Sequence, residues 1–170
     1  LTGADPESGT LIYAGVGSTA SGGSYTVTGT YGTLVLNASS GSYTYTLNNS
    51  ASAVQALGAS STLTESFSVK LTYGTNTPAA QALSFTINGA NDAPTILVSN
   101  LSSIAENSVN AVVATLTGSD IDGDSITIAL TGSGRDDALF EIVGNNLRIK
   151  TFADYETQSS YRVQLSVTDA

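Results

Sequence analysis

The sequence predicts an all-β protein made of two tandem β-sandwiches, with a short helix in the first. Ser and Thr make up 47 of the 170 residues, and Thr favours strands because its branched Cβ fits a pleated surface. Apolar residues alternate with polar ones in one segment after another, which is the pattern of half-buried antiparallel strands. Gly and Asn residues between these segments indicate turns.

The first half of the chain contains five segments in which apolar and polar residues alternate, and one segment without this alternation. Segment 50–57 predicts a helix of about two turns, capped by Asn49 or Ser50 and ended by Gly58. This helix would connect two strands. The apolar positions of the five predicted strands are Tyr25 and Val27; Leu34 and Leu36; Tyr43, Tyr45 and Leu47; Phe67, Val69 and Leu71; Leu83, Phe85 and Ile87.

The run Asn88 to Pro94 predicts a domain boundary, because Asn, Gly, Asp and Pro cluster there between two apolar strands. We therefore predict domains at 1–93 and 94–170. Strand spacing in the second domain is typical of an immunoglobulin-like sandwich. Its predicted inward positions are Ile96 and Val98; Val112, Ala114 and Leu116; Ile126, Ile128 and Leu130; Phe140 and Ile142; Leu147 and Ile149; Tyr161, Val163, Leu165 and Val167.

The composition removes most catalytic mechanisms, and we predict that the chain is not an enzyme. It contains no His and no Cys, so a Ser–His–Asp triad, a thiol nucleophile and a zinc–thiolate site are all excluded. Asp154 and Glu156 are the two acids that most resemble the catalytic carboxylate pair of a glycosidase. Two acids one residue apart in a loop are more typical of a metal clamp.

The charge is unevenly distributed along the chain. The net charge is −9, and residues 91–170 carry −7 of it, with eleven acids and four bases. Such a chain repels nucleic acids and anionic lipid surfaces. No apolar run approaches the roughly 20 residues of a membrane span, which predicts no direct membrane insertion.

Three carboxylates within five residues predict a calcium site in the second domain. Asp120, Asp122 and Asp124 lie in a loop between two predicted strands, and calcium binds six to eight carboxylate and carbonyl oxygens. The loop is not an EF-hand, because Ser125 stands where that motif needs Gly and Thr131 where it needs Glu. The alternative is an acidic loop solvated by water.

Residues 94–170 resemble a bacterial cadherin-like repeat, through ENS at 106–108, SDIDGD at 119–124, DYE at 154–156 and YRVQLSVTDA at 161–170. The resemblance implies a seven-stranded Greek-key sandwich with Ca²⁺ at the junctions between tandem domains. It places Asp120, Asp122 and Asp169 at the top of the domain, facing the linker. Asp92 would join them, together with the carbonyl of Asn91. Glu106, Asp154 and Glu156 would lie at the bottom, toward a further domain.

Residues 1–93 resemble a VCBS-type repeat of the kind found in long bacterial RTX-type adhesins. The matching pieces are TGADPESGT at 2–10, YGTLVLNASSGSYTYTLNNSASAVQALG at 31–58, STLTESFSV at 61–69 and INGANDAP at 87–94. Several positions depart from these families. Lys70-Leu71-Thr72-Tyr73-Gly74 offers no acid where the family often ends a strand with one, and Ser40-Gly41 replaces a common Asp-Gly turn. Asp5-Pro6-Glu7 replaces the usual DxD pair, and Gly89 and Ala93 stand where cadherins carry Asp and Asn.

Both modules lack strands that their families possess: the first and most of the second in module one, and the last in module two. Either the repeats are out of phase with these boundaries, or a neighbouring copy donates a strand.

The resemblance implies a calcium-stiffened extender repeat of a secreted or cell-surface bacterial adhesin. Its partners would be neighbouring repeats of the same protein, with homophilic contacts or surface glycans as further candidates. The alternative function is a carbohydrate-binding module. That alternative needs exposed aromatic side chains, for which Tyr13, Tyr31 and Tyr73 are the candidates.

Overall fold

The computed structural model describes residues 1, 3, 10–73 and 79–170. The motif Asp5-Pro6-Glu7 lies outside the described residues, as does Gly74 at the end of segment 70–74. The chain forms two units, Leu1–Asn91 and Asp92–Ala170, and the predicted boundary lies two residues after the observed one. Among the described residues, no helix is long and apolar enough to cross a membrane.

The first unit contains two antiparallel sheets that share one core. One sheet has the strand order β1-β6-β7 and the other the order β2-β3-β4-β5. Side chains from both sheets meet in the core, including Tyr13, Leu34, Leu36 and Phe67. The strands are β1 Leu11–Gly15, β2 Thr19–Ser21, β3 Ser24–Thr28, β4 Gly32–Asn37, β5 Tyr43–Leu47, β6 Thr62–Tyr73 and β7 Gln81–Asn88.

The helix of the first unit, α1, is shorter than the sequence predicts. It spans Ser52–Gln55, and its N-cap is Ala51 without a side-chain hydrogen bond. The predicted caps are therefore wrong. The side chain of Asn48 instead accepts hydrogen bonds from Ser50 in the turn before the helix. The helix still buries Val54, which packs with Leu57 and Ile87 in a small cluster of its own.

The second unit has a four-stranded sheet, β11-β12-β9-β8, and a two-stranded sheet, β10-β13. Its core contains Leu116 and Phe140, with Leu165 of the other sheet packed against them. The structure thus confirms the all-β class and the two tandem β-sandwiches. The elements are β8 Thr95–Ser99, β9 Val112–Ser119, β10 Thr127–Leu130, a 3-10 turn Asp137–Leu139, β11 Phe140–Val143, β12 Asn146–Ile149 and β13 Leu165–Thr168.

Three strand predictions in the second unit need correction. Val98 was predicted to face inward, but it is 42% exposed on the edge strand β8. Val112 was predicted to face inward, but it is exposed while Val113 is buried, because the β12–β9 register shifts between Leu147 and Arg148. The predicted strand over 161–167 is regular only from Leu165. Its first half is held by side-chain carboxylates in place of strand carbonyls, as described below.

Candidate metal centre

The loop between β9 and β10 is folded around Asp120. Its Oδ1 atom accepts the backbone N–H groups of Asp122 at 2.8 Å and Asp124 at 3.2 Å. Gly123 has a φ of +80°, a conformation that glycine adopts without steric cost. These bonds curl the loop so that side chains two residues apart converge.

The three carboxylates of this loop form one cluster. One oxygen from each of Asp120, Asp122 and Asp124 lies within 4.8 Å of the others. Asp120 Oδ2 and Asp122 Oδ1 are buried and accept no hydrogen bond from any described residue. Buried polar atoms are nearly always partnered, and anionic oxygens repel one another. The arrangement therefore suits a cation bound by oxygen, and this donor set fits the hard ion Ca²⁺. We name these three side chains the aspartate cluster.

The residue that opens the second unit contacts the aspartate cluster. The Asp92 N–H donates to Asp122 Oδ2 at 2.7 Å. Asp169 directly follows Thr168, which pairs with Thr127 at the start of β10, so it lies at the same end of that sheet as the loop. Asn91 closes the first unit. Metal ligation by Asp92, Asp169 and Asn91 stays a prediction.

The second predicted acidic set, made of Glu106, Asp154 and Glu156, does not converge in the same way. A hydrogen bond from Asn107 N–H to the Ala153 carbonyl, at 2.9 Å, joins the two segments that carry it. However, within the described part of the chain, Glu106, Asp154 and Glu156 form no group comparable to the aspartate cluster. Asp154 binds the Thr157 hydroxyl at 2.7 Å, and this bond and the Thr157 N–H lower the pKa of its carboxyl.

Gly89 departs from the cadherin pattern for a steric reason. A Cβ at this position would overlap the backbone carbonyl oxygens of Leu57 and Gly58, and the Gly89 N–H donates to the Ser61 carbonyl at 2.9 Å. The first unit thus has no room for an acidic side chain at this position.

Two buried acids that the sequence analysis did not single out replace strand carbonyls. Asp136 Oδ2 accepts the Arg162 N–H at 2.6 Å, and Asp137 Oδ1 accepts the Gln164 N–H at 2.8 Å. Asp137 Oδ2 also accepts the Gly134 N–H at 2.9 Å. The signal in the sequence was the adjacent pair of acids directly before an apolar strand.

These hydrogen bonds stabilise the charged form of both carboxyls. The Arg162 N–H lowers the pKa of Asp136, with smaller help from Gln158 and from Arg135, whose Nε lies 3.6 Å away. The Gln164 N–H lowers the pKa of Asp137. Such groups stabilise the fold above the unfolded pKa, and the contribution is lost as the pH falls through the folded pKa.

We therefore expect the second unit to lose stability as the pH falls below about 4, the usual carboxyl range. Asp137→Asn should lower the stability of the second unit at neutral pH, because an amide NH₂ would face a backbone N–H. The variant should also lose less stability than wild type as the pH falls. Urea unfolding midpoints across this range, with EDTA present, measure both effects. Glu141→Gln is the matched control. Identical pH profiles for wild type and Asp137→Asn would contradict the prediction.

The tyrosines named for a sugar platform do not form one. Tyr13 is buried in the first core, and Tyr31 and Tyr73 are half-buried. The most exposed tyrosine is Tyr155 in the second unit, 67% exposed. The carbohydrate alternative therefore gains no support from the three candidate residues.

Comparison with solved structures found chains of similar fold. The chain is similar to the EC1-2 fragment of human protocadherin-24, with 13% identity, a TM-score of 0.49, and coverage of 97% of this chain and 73% of that one. No protein-family model and no curated protein sequence matches.

Proposed function

We propose that this chain is a calcium-binding structural repeat of an extracellular bacterial surface protein, in which Ca²⁺ stiffens the junction between its two domains. The observation that carries the proposal is the aspartate cluster, with two buried carboxylate oxygens that no described residue satisfies. Asp120, Asp122 and Asp124 would hold the ion. Ca²⁺ would neutralise their charge and supply the partner that both oxygens lack.

The position of the cluster supports a role at the junction. Asp92 is the first residue of the second unit, and its N–H is bonded to Asp122. An ion on Asp122 would order this carboxylate and, through it, the start of the unit. Asp169 and Asn91 are further candidate ligands on the same grounds of chain position. Glu106, Asp154 and Glu156 would serve a junction with a following repeat.

The expected affinity for Ca²⁺ determines on which side of the cell surface the ion is bound. Extracellular calcium modules have dissociation constants of about 0.1–1 mM. The ion would therefore be bound outside the cell and released inside it. The chain would be loosely jointed during export and stiff at the surface, where its partners would be neighbouring repeats.

Interdomain distance measurements test the stiffening. The chain has no Cys, so Ala20→Cys in β2 and Ala129→Cys in β10, both exposed, accept one spin label each. We expect Ca²⁺ to narrow the distance distribution and EDTA to broaden it again. Asp122→Asn should abolish the narrowing, and Glu141→Gln should preserve it. A distribution that is unchanged by Ca²⁺ in the labelled wild type would refute the stiffening role.

A further inference from the structure

A cavity of about 300 Å³ opens inside the first unit, next to the point where β1 ends. β1 pairs with residues 69–73 of β6, and β7 pairs with residues 62–69 on the other side of that strand. The cavity lies beyond the end of β1. One wall is formed by residues 64–68 of β6, and the opposite wall is formed by residues 27–31, at the β3–β4 turn, together with Val16.

The cavity contains a buried carboxylate without a positive partner. The residues that line it all lie within 16–68, and Glu65 is the charged one among them. Three neutral groups donate to the Glu65 carboxylate: the N–H groups of Thr30 and Tyr31 and the hydroxyl of Tyr45. In the part of the chain that the structure describes, no Lys or Arg forms an ion pair with it. Buried charges are generally paired with an opposite charge or a metal, so this carboxylate lacks its usual counter-charge.

Acceptor atoms remain around the cavity. A carboxylate has about four lone-pair positions, and the three bonds to Glu65 leave one position on Oε2. The Ser68 carbonyl accepts the Val16 N–H at 2.8 Å, so the backbone groups of even-numbered β6 residues point toward the β1 side. The carbonyls of Thr64 and Ser66 therefore point to the cavity side of β6, and they receive no N–H from β1.

The other lining side chains favour an organic cation. Val16, Val27 and Phe67 line the cavity and suit a short hydrocarbon chain, and aromatic rings attract cations. A metal ion would need several free oxygen ligands, whereas the Glu65 carboxylate has one position left. The net charge of −9 attracts cations to the chain.

We propose that this cavity binds a primary alkylammonium group, supplied by a small amine or by a lysine side chain of a partner. The ammonium N–H groups donate to Glu65 Oε2 and to the Thr64 and Ser66 carbonyls, and the hydrocarbon chain contacts Val16 and Phe67. The volume of about 300 Å³ is at the lower end of the range for small-molecule sites, about 300–1,000 Å³. This inference is independent of the calcium site, which lies in the second unit.

The probe is n-butylammonium chloride, added to the full chain in EDTA with the ionic strength balanced by NaCl. We expect it to shift the amide NMR resonances of Thr30, Tyr31 and Ser66 in a saturable way, because these groups surround the bound cation. 1-Butanol lacks the charge and tetramethylammonium lacks the N–H donors, so neither should shift them. Equal shifts with either control, or no saturable shift with n-butylammonium, would overturn the proposal. Equal shifts with Ca²⁺ alone would assign the cavity to a metal ion instead.

Two further ligands distinguish the sources of the ammonium group. Nα-acetyl-lysine methylamide carries a lysine side chain on a peptide backbone, and butane-1,4-diamine is a free small amine. Saturable shifts with the lysine derivative would assign the cavity to a polypeptide partner. Shifts with the diamine alone would assign it to a small amine, and failure of both ligands would overturn the proposal.

Substitutions at the carboxylate test its role. Glu65→Gln keeps an acceptor for the two backbone N–H groups but removes the charge. It should weaken n-butylammonium binding by roughly ten-fold or more, as expected for a hydrogen bond to a charged group. Tyr45→Phe frees a second position on Oε2 and should strengthen binding, whereas a general loosening of the unit would weaken it. Glu141→Gln in the second unit is the matched control and should leave binding unchanged. Unchanged binding in Glu65→Gln would overturn the proposal, and weaker binding in Tyr45→Phe would overturn the assignment of Oε2.

Discussion

Glu65→Ala is expected to lower the free energy of unfolding of the first unit by about 3–5 kcal/mol. Glu65 is only 5% exposed. Its Oε1 atom accepts the N–H groups of Thr30 and Tyr31, the latter at 2.8 Å, and its Oε2 accepts the Tyr45 hydroxyl at 2.7 Å. Removing the carboxylate leaves three part-buried donors without an acceptor and a cavity where the buried side chain lay.

Two milder variants keep this prediction measurable if Glu65→Ala does not fold. Glu65→Gln retains the acceptor for Thr30 and Tyr31 and should cost less than half as much. Tyr45→Phe removes only the hydroxyl, for about 1–2 kcal/mol. Burial, with Glu65 adding to it, raises the pKa of Tyr45 to about 12, so this phenol stays a donor at neutral pH.

The measurement is urea unfolding followed by tyrosine fluorescence and by hydrogen exchange resolved to each unit. The second unit is the internal control, because Glu65 and its three partners all lie in the first. A loss of less than about 1 kcal/mol for Glu65→Ala would mean that water replaces the carboxylate in this cavity. Equal losses in both units would indicate a general effect on the chain.

Glu65 also shows where sequence reasoning stops short. It lies in the inward phase of β6, together with Phe67 and Val69, so alternation alone marks it as a buried charge. Its hydrogen-bond partners could not be predicted from the sequence, because Thr30 and Tyr31 are 35 and 34 residues away in the chain. Gly29 is needed for the same reason, since a Cβ there would overlap the Glu65 carboxylate.

The elements that could be predicted are those set by local pattern. Period-two alternation identified β5, β6 and β7, and the Gly and Asn residues between Ile142 and Leu147 indicated the turn that joins β11 to β12. The aspartate cluster was predictable because Asp120 itself accepts the N–H groups two and four residues later. The groups that were missed, Asp136 and Asp137, act on segments 26 and 27 residues away.

The second large effect that we expect is the stabilisation of the second unit by Ca²⁺. At about 100 times its dissociation constant, a ligand stabilises the folded state by roughly 2.7 kcal/mol. In a unit of about 80 residues, each kcal/mol corresponds to about 4–8 °C. We therefore expect saturating Ca²⁺ to raise the melting temperature of the second unit by roughly 10–20 °C relative to EDTA. NaCl at equal ionic strength controls for screening.

Asp122→Asn should affect the melting temperature in opposite ways in EDTA and in Ca²⁺, which a substitution at a purely structural residue would not do. In EDTA the variant should melt at or slightly above the wild-type temperature, because one of three mutually repelling charges is gone and the amide oxygen can still accept the Asp92 N–H. In Ca²⁺ it should melt well below wild type, because an anionic ligand is lost. Glu141→Gln removes a charge outside the cluster and should keep the full calcium shift. An equal calcium shift in Asp122→Asn and wild type would place the ion elsewhere. The absence of a shift in wild type would leave the loop as a solvated acidic turn and remove the basis of the extender role.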